Sequence, residues 1–125
     1  MKKKILIVDD EKDILDTVGP ILRNAGYDVI KAEGGKDGAV FARKERPDLI
    51  LLDIKMPGID GVMTTDILKN DESTKNIPIV YLSGMVKEDE LEDGHVTGSK
   101  IGDQHFVAKG QPPEKLLEIV KKSIR

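Results

Sequence analysis

The segment PDLILLDIKMPGIDG, residues 47–61, contains an unbroken apolar run that ends on an acid. The run occupies residues 49–52, Asp53 follows it directly, and Pro57-Gly58 marks a turn shortly afterwards. Strands that are buried on both faces of a parallel sheet have continuous apolar sequences of this kind. The segment therefore predicts a central strand whose carboxyl end carries a carboxylate.

Four further short apolar runs are spaced along the chain. Glycine or proline stands next to most of them, and stretches with helical periodicity separate them. Alternating helices and doubly buried strands are typical of an α/β domain in which helices cover both faces of a parallel sheet. The further runs lie at residues 5–8, 29–30, 77–82 and 106–108.

Helical periodicity is clearest between the first two runs. Six apolar residues, from Ile14 to Ala25, recur there at the spacing of one helix face. Pro20 lies inside this stretch and removes a backbone donor, so we expect a kink at that point. The other predicted helices run over about residues 36–45, 58–69 and 87–93, and from Pro112-Pro113 onward, where proline suits a helix start.

Apolar residues also predict which faces of the second and third helices are buried. In the region of the fourth helix, glycines at positions 94, 98 and 102 interrupt the pattern, so we expect that helix to be short and a loop to follow it. The residues expected to face the core are Ala39, Val40 and Ala42 in the second helix and Val62, Ile67 and Leu68 in the third.

The composition is that of one ordinary globular domain. A chain of 125 residues can bury one core but not two, so we predict a single domain over residues 1–125. The net charge of −3 gives no general surface for nucleic acid, and no apolar run approaches the ~20 residues of a membrane span. The absence of cysteine excludes disulfides and thiol catalysis, and fits the cytoplasm.

Polar residues with compatible chemistry follow the predicted strands. Asp9-Asp10 follows the first run and Asp53 the third, and ligands of open parallel sheets bind beyond the carboxyl ends of the strands. If these two strands are neighbours, the three carboxylates form one cluster, which repels itself unless a cation intervenes. Oxygen ligands with room for water suit Mg²⁺.

Two more strand ends add a hydroxyl and a positive charge. Ser83 ends the fourth run and Lys109 follows the fifth. Together with the acidic cluster they make a site for moving a phosphoryl group onto Asp53, where positioning and charge neutralisation do most of the work. Taken singly, each residue has a simpler interpretation, since Asp9-Asp10 could merely cap the first helix and the others could be turn or solvated residues.

In this order, the motifs resemble the bacterial two-component response-regulator receiver domain, of the stand-alone, chemotaxis-regulator-like kind. The resemblance covers residues 3–124 and rests on ILIVDDE, PDLILLDIKMPGIDG, PIVYLSG and the lysine of HFVAKG. It implies a flavodoxin-like (βα)5 fold, a doubly wound parallel sheet with strand order 2-1-3-4-5.

The resemblance also implies a role for each motif residue. The acidic residues and one backbone carbonyl would form the phosphorylation and Mg²⁺ site, and residues on the fourth and fifth strands would respond to the phosphoryl group. Asp53 matches the phosphoacceptor, Asp10 the direct Mg²⁺ ligand, Asp9 the water-bridged acid, Lys55 the carbonyl donor, Ser83 and Lys109 the pair that binds phosphoryl oxygens, and Phe106 the aromatic switch.

The implied function is a phosphorylation-dependent switch rather than an enzyme acting on other substrates. A sensor histidine kinase or a phosphotransfer protein would donate the phosphoryl group. The surface of the fourth helix, fifth strand and last helix would then change shape and control docking on a downstream target protein. We expect a monomer or weak dimer, and because the chain ends with the last helix we expect no attached output domain.

Two alternatives remain open, and one position departs from the family pattern. Gly110 stands where the family usually has proline after the lysine, so we expect a trans bond there and a differently shaped loop. The chain could therefore be an interaction module that keeps the fold without being phosphorylated. A hydrolase of the haloacid dehalogenase type would need an acid at the position of Lys55, and no P-loop motif is present.

Overall fold

The computed structural model describes residues 2–54, 61–83, 105–108 and 112–124. As far as residue 83, strands and helices alternate as the apolar runs predict. In chain order the elements are β1 (Lys4–Val8), α1 (Lys12–Asn24), β2 (Asp28–Ala32), α2 (Gly35–Glu45), β3 (Leu49–Asp53), α3 (Gly61–Lys69), β4 (Ile79–Ser83), β5 (His105–Ala108) and α4 (Pro113–Ser123).

The five strands form one parallel sheet in the order β2-β1-β3-β4-β5. β1 lies between β2 and β3, with Val8 opposite Leu52 in the register with β3. On the other side of β3, Asp53 pairs with Leu82 of β4. The predicted flavodoxin-like strand order is therefore confirmed, and it makes the strand that ends before Asp9 the direct neighbour of the strand that ends on Asp53.

Helices cover both faces of the sheet, and each face has its own apolar core. Alternate residues of β1 and β3 point to opposite faces because side chains alternate along a strand. On one face, Ile7 and Leu51 pack in a cluster that includes Leu22 of α1 and Val120 of α4. On the other face, Leu6 and Ile50 pack with Ala42 of α2, Leu68 of α3 and Tyr81 of β4. The apolar run of β3 is buried along its whole length for this reason.

The predicted apolar face of α1 is confirmed. Leu15 and Leu22 are buried, and Ile14, Val18 and Ile21 are partly buried against the same core. Ala25, the last residue of the predicted face, is exposed because it caps the helix rather than continuing it. Pro20 lies inside α1 as predicted, and the kink stays a prediction.

The predicted inner face of α2 is partly wrong. Val40 is 51% exposed, whereas Gly35, Gly38 and Ala42 are the buried residues of this helix. α2 lies so close to β1 that a Cβ atom on Gly38 would come within 2.8 Å of the Val8 side chain. Small residues therefore face the sheet, and the larger Val40 turns outward.

The predicted inner face of α3 is also partly wrong. Leu68 is buried as expected, but Val62 and Ile67 are 46% and 38% exposed. Gly61 and Thr64 take their places against the sheet, at the i, i+3, i+7 spacing that leads to Leu68. As in α2, small side chains occupy the start of the inner face, so apolarity alone misidentifies it.

Several predictions concern residues that the structure does not describe. α3 begins at Gly61 among the described residues, so the predicted start at residue 58 lies outside them. The predicted helix at residues 87–93, the glycines at 94, 98 and 102, and Gly110 also lie outside.

The start of the last helix is confirmed at Pro113, with Pro112 as the N-cap. None of the described helices is long and apolar enough to span a membrane.

An ionic network joins α2 to the turn that follows α3. Arg43 Nε donates to Asp71 Oδ2 over 2.7 Å, and the backbone N–H and hydroxyl of Ser73 both donate to Asp71 Oδ1. The hydrogen bonds from Ser73, followed by that from Arg43, lower the pKa of Asp71 from 3.8 to about 2. The network therefore favours the charged carboxylate and holds the two helices side by side.

Replacing Gly38 by alanine should destabilise the fold. The new methyl group would overlap the Val8 side chain, and the gain in helix propensity offsets only part of this, so we expect a loss of about 1–2 kcal/mol. Urea unfolding measures it. The matched control is Val40→Ala on the outer face of α2, which should change stability by less than about 0.5 kcal/mol. Equal effects from the two substitutions would contradict the assigned orientation of α2.

Asp71→Asn should lower the melting temperature at pH 7. It should also make the melting temperature fall less steeply as the pH is lowered into the acid range. Because the pKa of Asp71 is lower in the folded chain, its contribution is present above the ordinary value of 3.8 and is lost as the pH falls toward about 2. The difference in melting temperature between wild type and variant should therefore become smaller as the pH falls through this range. Glu72→Gln, which removes an exposed charge in the same turn, serves as control. A gap that stays constant down to pH 2 would contradict the assigned network.

Candidate functional site

The site lies at the carboxyl edge of the sheet, where β1 and β3 end side by side. Asp9 directly follows β1, and its backbone N–H donates to the carbonyl of Ala32 over 3.0 Å, which extends the ladder with β2 by one bond. Asp53 is the last residue of β3 and is paired with β4 on its other side. The strand ladders therefore fix the backbone from which each carboxylate projects.

Three carboxylates converge at this edge, as the sequence predicted. One carboxylate oxygen from each of Asp9, Asp10 and Asp53 lies within 4.8 Å of the other two. Asp9 and Asp53 are 0% and 2% exposed, whereas Asp10 is exposed. Oδ2 of Asp9 and Oδ2 of Asp53 are both shielded from solvent. Two of the acids are thus part of the core, and the third opens the cluster to water.

Helix capping explains only a part of this arrangement. Oδ1 of Asp9 accepts a hydrogen bond of 2.8 Å from the backbone N–H of Glu11, which is the N-cap residue of α1. The Glu11 side chain makes no capping bond of its own. Asp9 therefore does help to start α1, but capping gives no reason for the buried carboxylate of Asp53 on another strand, or for its closeness to Asp10.

The chemistry of the cluster fits a hard divalent cation. Burying carboxylates together is costly because each loses hydration and all carry the same charge. A cation among them removes that cost, and an all-oxygen donor set with one side open to water is what Mg²⁺ prefers. The donor set lacks the nitrogen and sulfur ligands typical of zinc sites. Asp9, Asp10 and Asp53 are therefore suitable Mg²⁺ ligands.

Gly61 packs directly against the backbone of Asp53, a contact that the sequence analysis missed. A Cβ atom there would collide with the carbonyl oxygen of Asp53 and approach Cα of Ile54 to 2.7 Å. The backbone N–H of Gly61 also donates to the Ile54 carbonyl over 2.8 Å. The start of α3 therefore rests directly on the backbone of Asp53. The glycine that ends the segment PDLILLDIKMPGIDG was the available signal, but the sequence analysis assigned it no role.

The remaining predicted site residues lie in β4, in β5 or outside the described part of the chain. Ser83 ends β4 and pairs with Ala108, and Phe106 lies in β5 opposite Tyr81. Their side chains are not among the described groups, and Lys55 and Lys109 lie outside the described residues altogether. The roles assigned to these four residues stay predictions.

Comparison with known proteins agrees with this fold. The family model of the response regulator receiver domain matches residues 5–121. Protein PilH of Pseudomonas aeruginosa is 36% identical over 117 residues, which cover 94% of this chain and 93% of PilH.

Solved structures show the same architecture. Chemotaxis protein CheY4 of Vibrio cholerae superposes with a TM-score of 0.84 at 27% identity, over 99% of this chain and 100% of CheY4. The receiver domain of sensor histidine kinase PA1611 from Pseudomonas aeruginosa, solved with a magnesium ion coordinated in its active site cleft, superposes with a TM-score of 0.80 over 98% of each chain. At 23% identity, that second likeness concerns the fold alone. With its sheet order, its acidic edge and the family match over nearly all of its length, the chain belongs to the response regulator receiver domains of two-component signalling.

Proposed function

We propose that this chain is a signalling switch that accepts a phosphoryl group on Asp53. The donor is the phosphohistidine of a sensor histidine kinase or of a phosphotransfer protein. The observation that carries the proposal is the position of Asp53, which is buried at the end of β3 with its carboxylate beside those of Asp9 and Asp10. A carboxylate held in this way is oriented for attack and surrounded by groups suited to a cation.

The chemistry is the transfer of a phosphoryl group between two residues. A carboxylate oxygen of Asp53 attacks the phosphorus atom, the P–N bond to the donor imidazole breaks, and an acyl phosphate forms on Asp53. Asp9, Asp10 and Asp53 hold Mg²⁺, with the backbone carbonyl of Lys55 as a further proposed ligand, and the bound ion supplies neutralisation of the phosphoryl charge. The chain promotes this transfer and the later hydrolysis on itself, and is otherwise a regulatory domain.

The response to phosphorylation is a change of surface. Ser83 and Lys109 bind the phosphoryl oxygens, and Phe106 turns into the space that Ser83 leaves. The surface formed by the predicted helix at residues 87–93, β5 and α4 then controls docking on a downstream protein. Carrying such an equilibrium from 1:99 to 99:1 requires about 5.5 kcal/mol, which a few charge-assisted hydrogen bonds of roughly 1.5–3 kcal/mol each can provide.

Similarity to other receivers supports the proposal in two respects. PilH matches this chain over 93% of its own length, which supports a regulator built on a receiver domain. Docking on proteins in the cytoplasm is part of the proposal. The receiver of PA1611 was solved with magnesium in its cleft, and the acidic cluster here offers suitable ligands. We further propose that the protein is a monomer or weak dimer. It makes no direct contact with nucleic acid or with a membrane.

Incubation with Mg²⁺ and acetyl phosphate should add one phosphoryl group to the wild type, measured by intact mass. Asp53→Asn should remain unmodified because it lacks the attacking carboxylate. Asp48→Asn is the matched control: Asp48 stands at the opposite end of β3, where its carboxylate accepts the N–H of Lys4, so this variant should be modified like the wild type. Modification of Asp53→Asn, or none in the wild type, would contradict the proposal. The second outcome would indicate an interaction module that is not phosphorylated.

A further inference from the structure

A hydrogen-bonded chain connects the backbone around Asp53 to the interior of the sheet. It begins where α3 meets β3, with the Gly61 N–H bonded to the carbonyl of Ile54 over 2.8 Å. The N–H of Ile54 in turn donates to the carbonyl of Leu82 in β4 over 3.2 Å. The residue that follows Asp53 is thus held by α3 through its carbonyl and by β4 through its amide.

A pair of hydroxyl groups completes this arrangement from the other side. Thr65 lies one turn into α3, and its Oγ1 donates to the carbonyl of Gly61 over 2.8 Å. The same Oγ1 lies 2.6 Å from the phenolic oxygen of Tyr81. Tyr81 belongs to β4 and is fully buried, one residue before Leu82. The hydrogen bonds therefore run from the Tyr81 side chain through Thr65, Gly61 and Ile54 to the carbonyl of Leu82. Both ends of this path lie in β4.

The direction of each hydrogen bond follows from the chemistry of its partners. The carbonyl of Gly61 can only accept, so the single hydrogen of Thr65 points to it, and Tyr81 must donate to Thr65. Burial raises the pKa of Tyr81 above its ordinary value of 10.0, which keeps this hydroxyl protonated at neutral pH. Every hydroxyl in the path consequently has a defined orientation, which favours a rigid geometry.

We propose that the Thr65–Tyr81 hydroxyl pair is a positioning device that sets how fast Asp53 is phosphorylated. Neither side chain needs to touch the phosphoryl group. The pair pins the first turn of α3 onto β4, and Gly61 then bears on the carbonyl of Asp53 without room for even a methyl group between them. The carboxylate of Asp53 projects from the backbone that is fixed in this way.

The inference rests on the proposed phosphorylation of Asp53 and adds a rate-setting element to it. A back-bond from threonine to the carbonyl four residues earlier is common within helices and would by itself mean little. The tertiary bond to Tyr81 is what joins this local feature to β4. β4 also ends on Ser83, so the pair fixes Asp53 against the strand that carries the proposed phosphoryl-binding hydroxyl.

Two substitutions each remove one hydroxyl while keeping the shape of the side chain. Tyr81→Phe and Thr65→Val should lower the rate constant of phosphorylation by acetyl phosphate, at saturating Mg²⁺ and well below the melting temperature, by roughly tenfold. A displacement of about 1 Å in a reacting group can cost on the order of 100-fold, and a partial loosening costs less. The double variant should be no slower than the slower single variant, because the two hydroxyls act as one unit.

Two controls separate positioning from general stability. Thr74→Val removes a buried hydroxyl that donates to the carbonyl of Leu68 over 2.6 Å, at the far end of α3, and should lower stability while leaving the rate unchanged. Thr65→Ser keeps the hydroxyl and should be phosphorylated at the rate of the wild type, unlike Thr65→Val. Amide hydrogen exchange at Ile54 should become faster in Tyr81→Phe and Thr65→Val but not in Thr74→Val.

The outcomes distinguish this inference from the function on which it rests. A wild type that is phosphorylated, with Tyr81→Phe and Thr65→Val reacting at its rate, would overturn the inference and leave the proposed function standing. Slowing by Thr74→Val to the same extent would also overturn it, because the effect would then follow stability alone. A wild type that gains no phosphoryl group would overturn both.

Discussion

The constraint on which the rest of the structure depends is the direct pairing of β1 with β3. Parallel strands end at the same edge of a sheet, so this pairing brings the acids that follow both strands into one small space. Asp9 and Asp53 are nearly inaccessible to water there, and two buried like charges are unfavourable unless a cation joins them. The fold therefore concentrates negative charge at one edge of the sheet, and a divalent cation bound there would neutralise it.

Close packing on one face of the sheet holds that edge in shape. Gly38 of α2 lies against Val8, and Gly61 of α3 lies against the carbonyl of Asp53, so both helices approach strand ends that carry site residues. The interior of a protein is packed too densely to absorb a small displacement locally. Movement of either helix would consequently displace the carboxylates. The small residues that let the helices approach the strands therefore also help to position the site.

The strand pattern and the placing of acids at strand ends could be predicted from sequence because both follow from local features. That the acids form one cluster depended on the strand order, which the family resemblance supplied. Continuous apolar runs identify doubly buried strands, and an acid placed after a run is carried to the edge wherever the strand lies. The inner faces of α2 and α3 could not be predicted in the same way. Val40, Val62 and Ile67 are apolar yet exposed, since the space beneath the helices is set by side chains and carbonyls of distant strands. The contact between Thr65 and Tyr81 was missed for the same reason, as it joins residues that only the folded sheet brings together.

Unfolding in urea, with a chelator and then with saturating Mg²⁺, tests most directly whether the acidic edge is built around a cation. In the chelator, Asp53→Asn should be more stable than the wild type because one of the repelling charges is gone. Mg²⁺ at 100 times its dissociation constant should stabilise the wild type by about 2.7 kcal/mol and Asp53→Asn by much less. A wild type whose stability is unchanged by Mg²⁺, together with an Asp53→Asn variant that is less stable than the wild type in the chelator, would contradict a cation-centred site.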